Sequence, residues 1–426
     1  MKKRRILVLF LVFTLLFSSF SSSAAKKSGT KNLTSTVKVK QSKGRKIKKR
    51  EAKQLTSASI KLLDATIKNG KENENVFISP TSIMYAFGLA ENGARGKTRS
   101  QIENVIYGGM KTKDTNLVMS RMMKNMESDK CVDWNIANSI WIKDQKDIKV
   151  KKSFLKNAKK YYDAEIYKAP FSPGTVNDIN KWVKKNTHKM IPKVINELSN
   201  DAVMCLINAI AFEGNWAEPF EKYQISENQV FTNIDGSTKK TTMYSDKESS
   251  YFELNGAKGF KKLYKGGKYA FVGIEMPENV KPADYISQLA AKPTAFNKAL
   301  SNMKHDYNVS ILMPKFSFDY DVEMSDLLRK NGVKNAFSKD KANLYNMFVR
   351  EPDSNYYFSN VIHKTHIEVD ENGTKAAAVT AIMVEKCTSV VTKKPTMEIR
   401  LDHPFVYAII DTNTNIPIFI GCANSL

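Results

Sequence analysis

Residues 361–381 constrain the fold more than any other part of the chain. Val361–Val369 alternates side chains as a strand does, and is followed by Asp370-Glu371-Asn372-Gly373-Thr374-Lys375-Ala376-Ala377-Ala378-Val379-Thr380-Ala381. A surface loop favours polar turn formers, yet here a glycine opens onto small and β-branched residues. With a period of two, Thr374, Ala376, Ala378 and Thr380 share one face and are all small, while Lys375 and Val379 fall on the other. Such a segment can slide between packed strands, because no bulky inward group stalls its entry. Taken by itself, the pattern fits a short Ala-rich helix equally well.

From Leu55 onward the sequence reads as globular, with no Pro/Gly/Ser linker and no internal repeat. Helical periods occupy 57–67, 81–89 (after Ser79-Pro80, a helix-start pair), 97–106, 114–126, 152–161, 176–190 and 323–331. Strand-like runs are Trp134–Ile142, Val203–Phe212, Tyr269–Met276, Val309–Phe318, Val361–Val369, Phe405–Ile410 and Ile416–Ile420. Helices dominate the first half and strands the second, which predicts an α+β domain rather than alternating βαβ units.

The net charge of +24 raises the question of a polyanionic partner, and its location answers it. Lys2, Lys3, Arg4 and Arg5 precede an apolar run from Ile6 to Phe17, and Ser23-Ala24-Ala25 supplies small residues for cleavage. This is the pattern of a secretory signal over residues 1–25; the apolar run is short of the ~20 residues that span a bilayer. Residues 26–53 hold twelve Lys/Arg against Glu51 alone and read as a disordered basic tail, either a solvated spacer or a contact to an anionic cell surface. The leader and tail together carry +15, leaving +9 for the domain at 54–426. No nucleic-acid partner is expected of so mild an excess.

Enzymatic signatures fail one by one. Gly93-Ala94-Arg95-Gly96-Lys97-Thr98 mimics the end of a phosphate-binding loop, but Glu91 stands where that loop needs glycine. HExxH, CxxC and GxSxG are all absent, and the five histidines (188, 305, 363, 366, 403) lack ligand spacing. His363 and His366, three apart in strand-like sequence, point to opposite faces. Cys205 and Cys422 lie in apolar runs as buried thiols, the setting of Cys131 stays open, and Cys387 sits in a polar stretch. No metal, cofactor or catalytic residue is expected.

The chain resembles the serpin family over nearly all of residues 55–426. The resemblance rests on Asn75-Val76-Phe77-Ile78-Ser79-Pro80-Thr81-Ser82-Ile83 with Gly93–Thr98, and on Asn208-Ala209-Ile210-Ala211-Phe212-Glu213-Gly214-Asn215-Trp216 with Pro219-Phe220. Met313-Pro314-Lys315-Phe316, Leu327–Phe337 and Val361-Ile362-His363-Lys364 continuing into Glu368–Thr374 extend it. Asp402-His403-Pro404-Phe405 and Phe419-Ile420-Gly421 close the chain. The resemblance implies a single domain with helices around three β-sheets and an exposed reactive loop at about 371–397. It implies a monomeric protease inhibitor in which a target protease cuts that loop, forms an acyl-enzyme, and is trapped as the cut loop inserts into the main sheet.

The roles it implies fall on particular residues. Gly373 is the hinge glycine, Thr374 the first residue to insert, and Ala376, Ala377 and Ala378 the small-residue hinge. Glu371 and Lys315 pair where insertion begins, with Trp216 in the same region. Ser79, Ser82, Asn208 and His363 form the polar cluster that gates sheet expansion. Asn372, Lys375 and Val379 depart from the usual hinge residues, and Asn372-Gly373-Thr374 is a formal glycosylation acceptor, which fits a bacterial host better. Fifteen residues from Gly373 the scissile bond falls at Cys387-Thr388, or at Lys386-Cys387 with a shift of one. These baits suit elastase-, chymotrypsin-, trypsin- or subtilisin-like serine proteases, and cysteine proteases as a second class. A non-inhibitory carrier or chaperone-like member, and a surface-attached binding protein acting through residues 26–53, are the alternatives.

Overall fold

Ser79 accepts a hydrogen bond from the amide of Ser82 and Pro80, which has no amide donor, occupies the first helical position, so a helix starts there with one free donor capped and another removed. In the computed structural model, which describes residues 29–146, 148–199, 201–349, 356–374 and 394–426, that helix is buried along its whole length. The helices in chain order are α1 (Lys49–Asn69), α2 (Pro80–Gly93), α3 (Gly96–Tyr107), α4 (Thr112–Glu127), α5 (Lys152–Tyr162), α6 (Pro173–Asn186), α7 (Pro282–Ala291), α8 (Thr294–Ser301) and α9 (Ser325–Lys330). Helix α2 is the axle, packed against α1, α3, α4 and α5 on one side and against sheet strands on the other. Gly88 permits this, because a Cβ there would lie 2.2 Å from the ring of Tyr162 on α5.

Three large sheets complete the domain. The main one has seven strands in the order Lys31–Asn32, Glu165–Ala169, Val132–Lys143, Met204–Asn215, Gly373–Thr374, Asn360–Val369 and Phe316–Glu323. A six-stranded sheet runs from Val76–Ile78 through Pro417–Ala423, Phe405–Asp411, Tyr269–Glu275 and Ala257–Leu263 to Phe252–Leu254. A four-stranded sheet orders Thr396–Arg400, Asn308–Pro314, Thr238–Glu248 and Ile225–Thr232. One large apolar core fills the space around α2. A second cluster lies across the main sheet, where Ile179, Trp182 and Val183 of α6 cover Ala137, Trp141, Cys205, Ile207 and Ala209. The α+β single-domain expectation holds.

Several local expectations change. The run 309–318 is two strands, broken at Lys315 where the chain passes from the four-stranded to the seven-stranded sheet. Helices α7 and α8 and the surface strands between 225 and 263 were not anticipated. Ile225–Thr232 is exposed at most positions and so carries little apolar alternation.

The larger correction concerns residues 29–53, which are not a disordered tail. Lys31–Asn32 adds a strand to the edge of the main sheet, and Leu33 donates its amide to Ile166 O at 2.7 Å. Thr34 is buried, and Leu33, Val37 and Ile47 pack on the core. Gly44, at φ +65°, lies so close to α4 that a Cβ would sit 2.3 Å from Leu117 O. Arg45 then bonds both carboxylate oxygens of Glu51, which is almost fully buried, and reaches Asp114 at 2.7 Å. Composition misled because the lysines that dominate it stay in water, while a few apolar groups and the two ion pairs of Arg45 fix the path. The leader at 1–25 lies outside the described residues.

Glu91 on α2 is wholly buried and neither carboxylate oxygen has a hydrogen-bond partner among the described residues. The nearby Thr112 hydroxyl is engaged by Glu103. Burial pushes the Glu91 carboxyl up to about 8, with Glu103 adding to the shift and the Arg99 and Lys111 cations opposing it. The folded protein therefore holds a proton that the unfolded chain releases near pH 4.5, and this contribution to stability is lost as pH rises from about 4.5 to 8. Glu91→Gln is expected to remove that slope, leaving stability near the wild-type value at pH 5 and on the order of 3 kcal/mol higher at pH 8, read from denaturant midpoints.

Candidate functional site: the split in the main sheet

The site lies where two central strands part. Met204–Asn215 and Asn360–Val369 pair in parallel from Asn360↔Cys205 to Lys364↔Ala209. Above that point they separate, and Gly373–Thr374 occupies the gap, antiparallel to both neighbours, with Thr374 opposite Gly214 and Val369. Sequence reading makes Thr374 the first residue to insert; in the intact chain it is already between the strands and buried. Residues 371–374, expected to open the exposed loop, are instead half-buried or buried at the sheet. The close approach explains the glycine, since a Cβ on Gly373 would lie 2.1 Å from Gly214 O.

The chain entering this gap is held at consecutive residues. Phe220 donates its amide to Glu371 O at 2.9 Å and Trp216 to Asn372 O at 2.8 Å. The Trp216 indole donates to Asp370 O at 3.0 Å, and the Asp370 carboxylate accepts the amides of Asn372 and Gly373. Glu371 reaches Lys315 at 3.6 Å, so the expected pair forms, and it also accepts the Tyr244 hydroxyl at 2.9 Å. Burial works against the Glu371 charge, but the backbone donor, Tyr244 and Lys315 together hold its carboxyl below the usual range. Beneath lies an aromatic floor: Trp216 stacks on Tyr264 at 4.7 Å and Phe220 on Tyr244 at 4.8 Å. The buried Lys262 ammonium sits 4.2 Å above Phe220 and pairs with Asp246 at 2.7 Å.

Lower in the sheet the second predicted group comes together. His363 stands opposite Asn208 in the parallel ladder, and Asn208 opposite Asn138 in the antiparallel one, making a polar row across three strands. Ser79 donates its amide to His363 Nε2 at 3.0 Å and its hydroxyl to Ile418 O at 2.7 Å, tying the row to the start of α2. Asn208 donates to Asn138, while its own carbonyl oxygen and the Ser82 hydroxyl oxygen are buried with no partner among the described residues. Burial pushes His363 down to about 3, so the ring is neutral, accepts through Nε2 and carries its proton on Nδ1. His366 points to the opposite face and pairs with Asp319.

Glu371, Gly373, Thr374, Trp216 and Lys315 are thus assembled at the top of the gap, and Ser79, Ser82, Asn208 and His363 beneath it. Ala376, Ala377, Ala378, Lys386, Cys387 and Thr388 lie outside the described residues. Sequence reading missed Asn138, Tyr244, Lys262 and Tyr264, because each stands in an ordinary strand or turn pattern and only the pairing of distant strands brings it to the site. Among the described residues no His/Cys/Asp/Glu group could hold a metal ion. Burial pushes the Cys205 and Cys422 thiols up to about 12, unsuited to nucleophilic work.

A family model described as Serpin (serine protease inhibitor) matches residues 53–425. An uncharacterized serpin-like protein of Methanosarcina mazei is 31% identical over 355 residues, covering 82% of this chain and 80% of that relative. Among solved structures, the thermophilic serpin Tengpin in its native state superposes with a TM-score of 0.84 at 36% identity, covering 93% of this chain and all of that one. The same protein in its latent state gives 0.75 at 34% identity over 90% of this chain.

His363 yields a testable pH dependence. Its folded value lies below the 6.5 of a free imidazole, so the unfolded chain gains protons first as pH falls, and stability is lost from about pH 6.5 down to about 3. Between pH 7 and pH 5 this group alone is expected to remove about 2 kcal/mol. The difference between wild type and His363→Asn in denaturant midpoints at the two pH values measures it.

Proposed function

The chain belongs to the serpin family, whose members are in general protease inhibitors rather than enzymes, and on that premise we propose that it is a secreted inhibitor trapping serine proteases as covalent acyl-enzymes. Cysteine proteases form a second target class. The protease serine attacks the carbonyl carbon of Cys387, the bond to the Thr388 nitrogen breaks, and the amine leaves with a proton supplied by the protease. An ester now links protease to Cys387. The strand released from Thr374 onward enters the gap between Met204–Asn215 and Asn360–Val369 and carries the protease with it, and distortion of the protease active site halts hydrolysis of the ester.

The observation that carries this reading is the wedge of Gly373–Thr374 between two strands that are joined only below Lys364↔Ala209. A central gap with its first residues in register has a ready path for extension. Each added residue converts unpaired backbone groups into ladder hydrogen bonds worth about 1 kcal/mol net, and each small inward side chain enters without displacing the core. The polar row of Asn138, Asn208 and His363 lies on that path. Asn208 bonds to Asn138 and His363 to Ser79, so each is held from its own side, and among the described residues no side-chain hydrogen bond ties Asn208 to His363 across the strands that must part. The basic leader and its apolar run support export, and the lysines of residues 29–53 remain on the surface as candidates for contact with an anionic envelope.

Incubation with elastase-, chymotrypsin-, trypsin- and subtilisin-like enzymes is expected to give an SDS-stable complex with at least one. Mass spectrometry of the released C-terminal peptide should begin at Thr388. Absence of a stable complex across the panel, with the loop cut and the protease still active, would sink the proposal. Thr374→Arg is expected to turn inhibitor into substrate, because it forces a large cation into a buried position. That variant should be cleaved at the wild-type rate while complex yield falls at least tenfold.

A further inference from the structure

We propose that Tyr264 is a positioning residue for strand insertion: its hydroxyl binds Thr374 and fixes the register in which the strand starts. The inference rests on the inhibitory reading above and adds a residue to it. Tyr264 lies on the turn between Ala257–Leu263 and Tyr269–Glu275, outside the main sheet, and is fully buried. Its hydroxyl lies 2.5 Å from Thr374 Oγ1, the one hydrogen-bond partner it has among the described residues, and that hydroxyl is buried too.

The surroundings make this an arranged contact. Trp216 stacks on one side of the Tyr264 ring at 4.7 Å, and Phe212 meets it edge-on at 4.8 Å, so the ring is braced by contacts that do not depend on Thr374. Gly214 clears the way, since a Cβ there would lie 3.1 Å from the Tyr264 ring and 2.6 Å from Phe212. With Thr374 absent, the phenol would be a buried donor without a partner, which carries a desolvation penalty. Thr374 removes that penalty on arrival, and an alanine in its place would not. A strand slipped by one residue would present Lys375 to this dry aromatic floor, and every following side chain would face the wrong way. The hydroxyl pair therefore rewards one register at the first inward side chain of the strand, adding a side-chain check to the backbone bonds that hold residues 370–372.

Two variants, Tyr264→Phe and Thr374→Val, each delete one hydroxyl and keep the volume. They are compared with the double variant and with Thr374→Ser, on the full chain. The first readout is amide exchange of residues 370–374 in the uncut protein, and the second is the number of inhibitor molecules consumed per protease trapped. Each single variant is expected to speed exchange and raise consumption roughly threefold to tenfold. The double variant should be no worse than either single one, and Thr374→Ser should stay within twofold of wild type. Exchange and consumption both unchanged in Tyr264→Phe would overturn the proposal, as would effects that multiply in the double variant or a Thr374→Ser variant as impaired as Thr374→Val. A change in only one readout also overturns it, since one contact is held to control both. If Tyr264→Phe does not fold, Thr374→Val and Thr374→Ser decide from the other side of the same bond. If the wild type traps no protease, the inhibitory reading falls, and exchange of residues 370–374 decides whether the hydroxyl pair sets the hinge.

Discussion

The molecule is organised around an incomplete contact between two central strands. Met204–Asn215 and Asn360–Val369 pair for five residues and then diverge, so the middle of the main sheet is zipped at one end and open at the other. Sheets normally complete their ladders because unpaired backbone groups in a protein interior are costly. Among the described residues, Gly373–Thr374 satisfies only the mouth of the opening. Most other features of the site follow from that geometry: the glycine pair that lets backbones touch, the aromatic floor, the Lys315–Glu371 pair at the lip and the polar row below.

The polar row and the buried carboxylate of α2 place opposing titrations in one core. His363 must stay neutral to remain buried and favours higher pH, whereas Glu91 must stay protonated and favours lower pH. Their slopes run against each other across the range between pH 4.5 and 6.5, so either variant alone exposes the other. Both groups touch the same helix, since Glu91 is on α2 and His363 accepts the amide of its capping residue Ser79. A domain that optimised stability alone would fill these positions with apolar side chains. In the proposed mechanism the residual polarity keeps the strands separable while the apolar core around α2 keeps the rest rigid.

Much of this is legible along the chain. Ser79-Pro80 marks the start of α2 by capping chemistry, the alternation in Val361–Val369 puts His363 and His366 on opposite faces, and the small residues after Gly373 suit a segment built for tight entry. The run through 309–318 shows the limit: Lys315 breaks it by changing sheets, and strand propensity is blind to which sheet a strand joins. The arm at 29–53 shows another. A count of lysines says that a segment is soluble, but Arg45 meeting Glu51 and Asp114 depends on where α1 and α4 lie in space.

By itself, then, the sequence determined the α+β domain and the alternating faces of its strands, and its resemblance to the family pointed to Gly373, Thr374 and the residues bordering the gap. Those properties depend on neighbours a few positions away or on motifs whose order is fixed. Only the tertiary structure decided that Thr374 is already seated, that Asn138 completes the polar row and that Tyr264 waits beneath the hinge. Thr374 and Tyr264 are 110 residues apart, and their contact exists only because two separate sheets converge at one point. Local pattern sets which face a residue presents, and only the closed fold sets what that face meets.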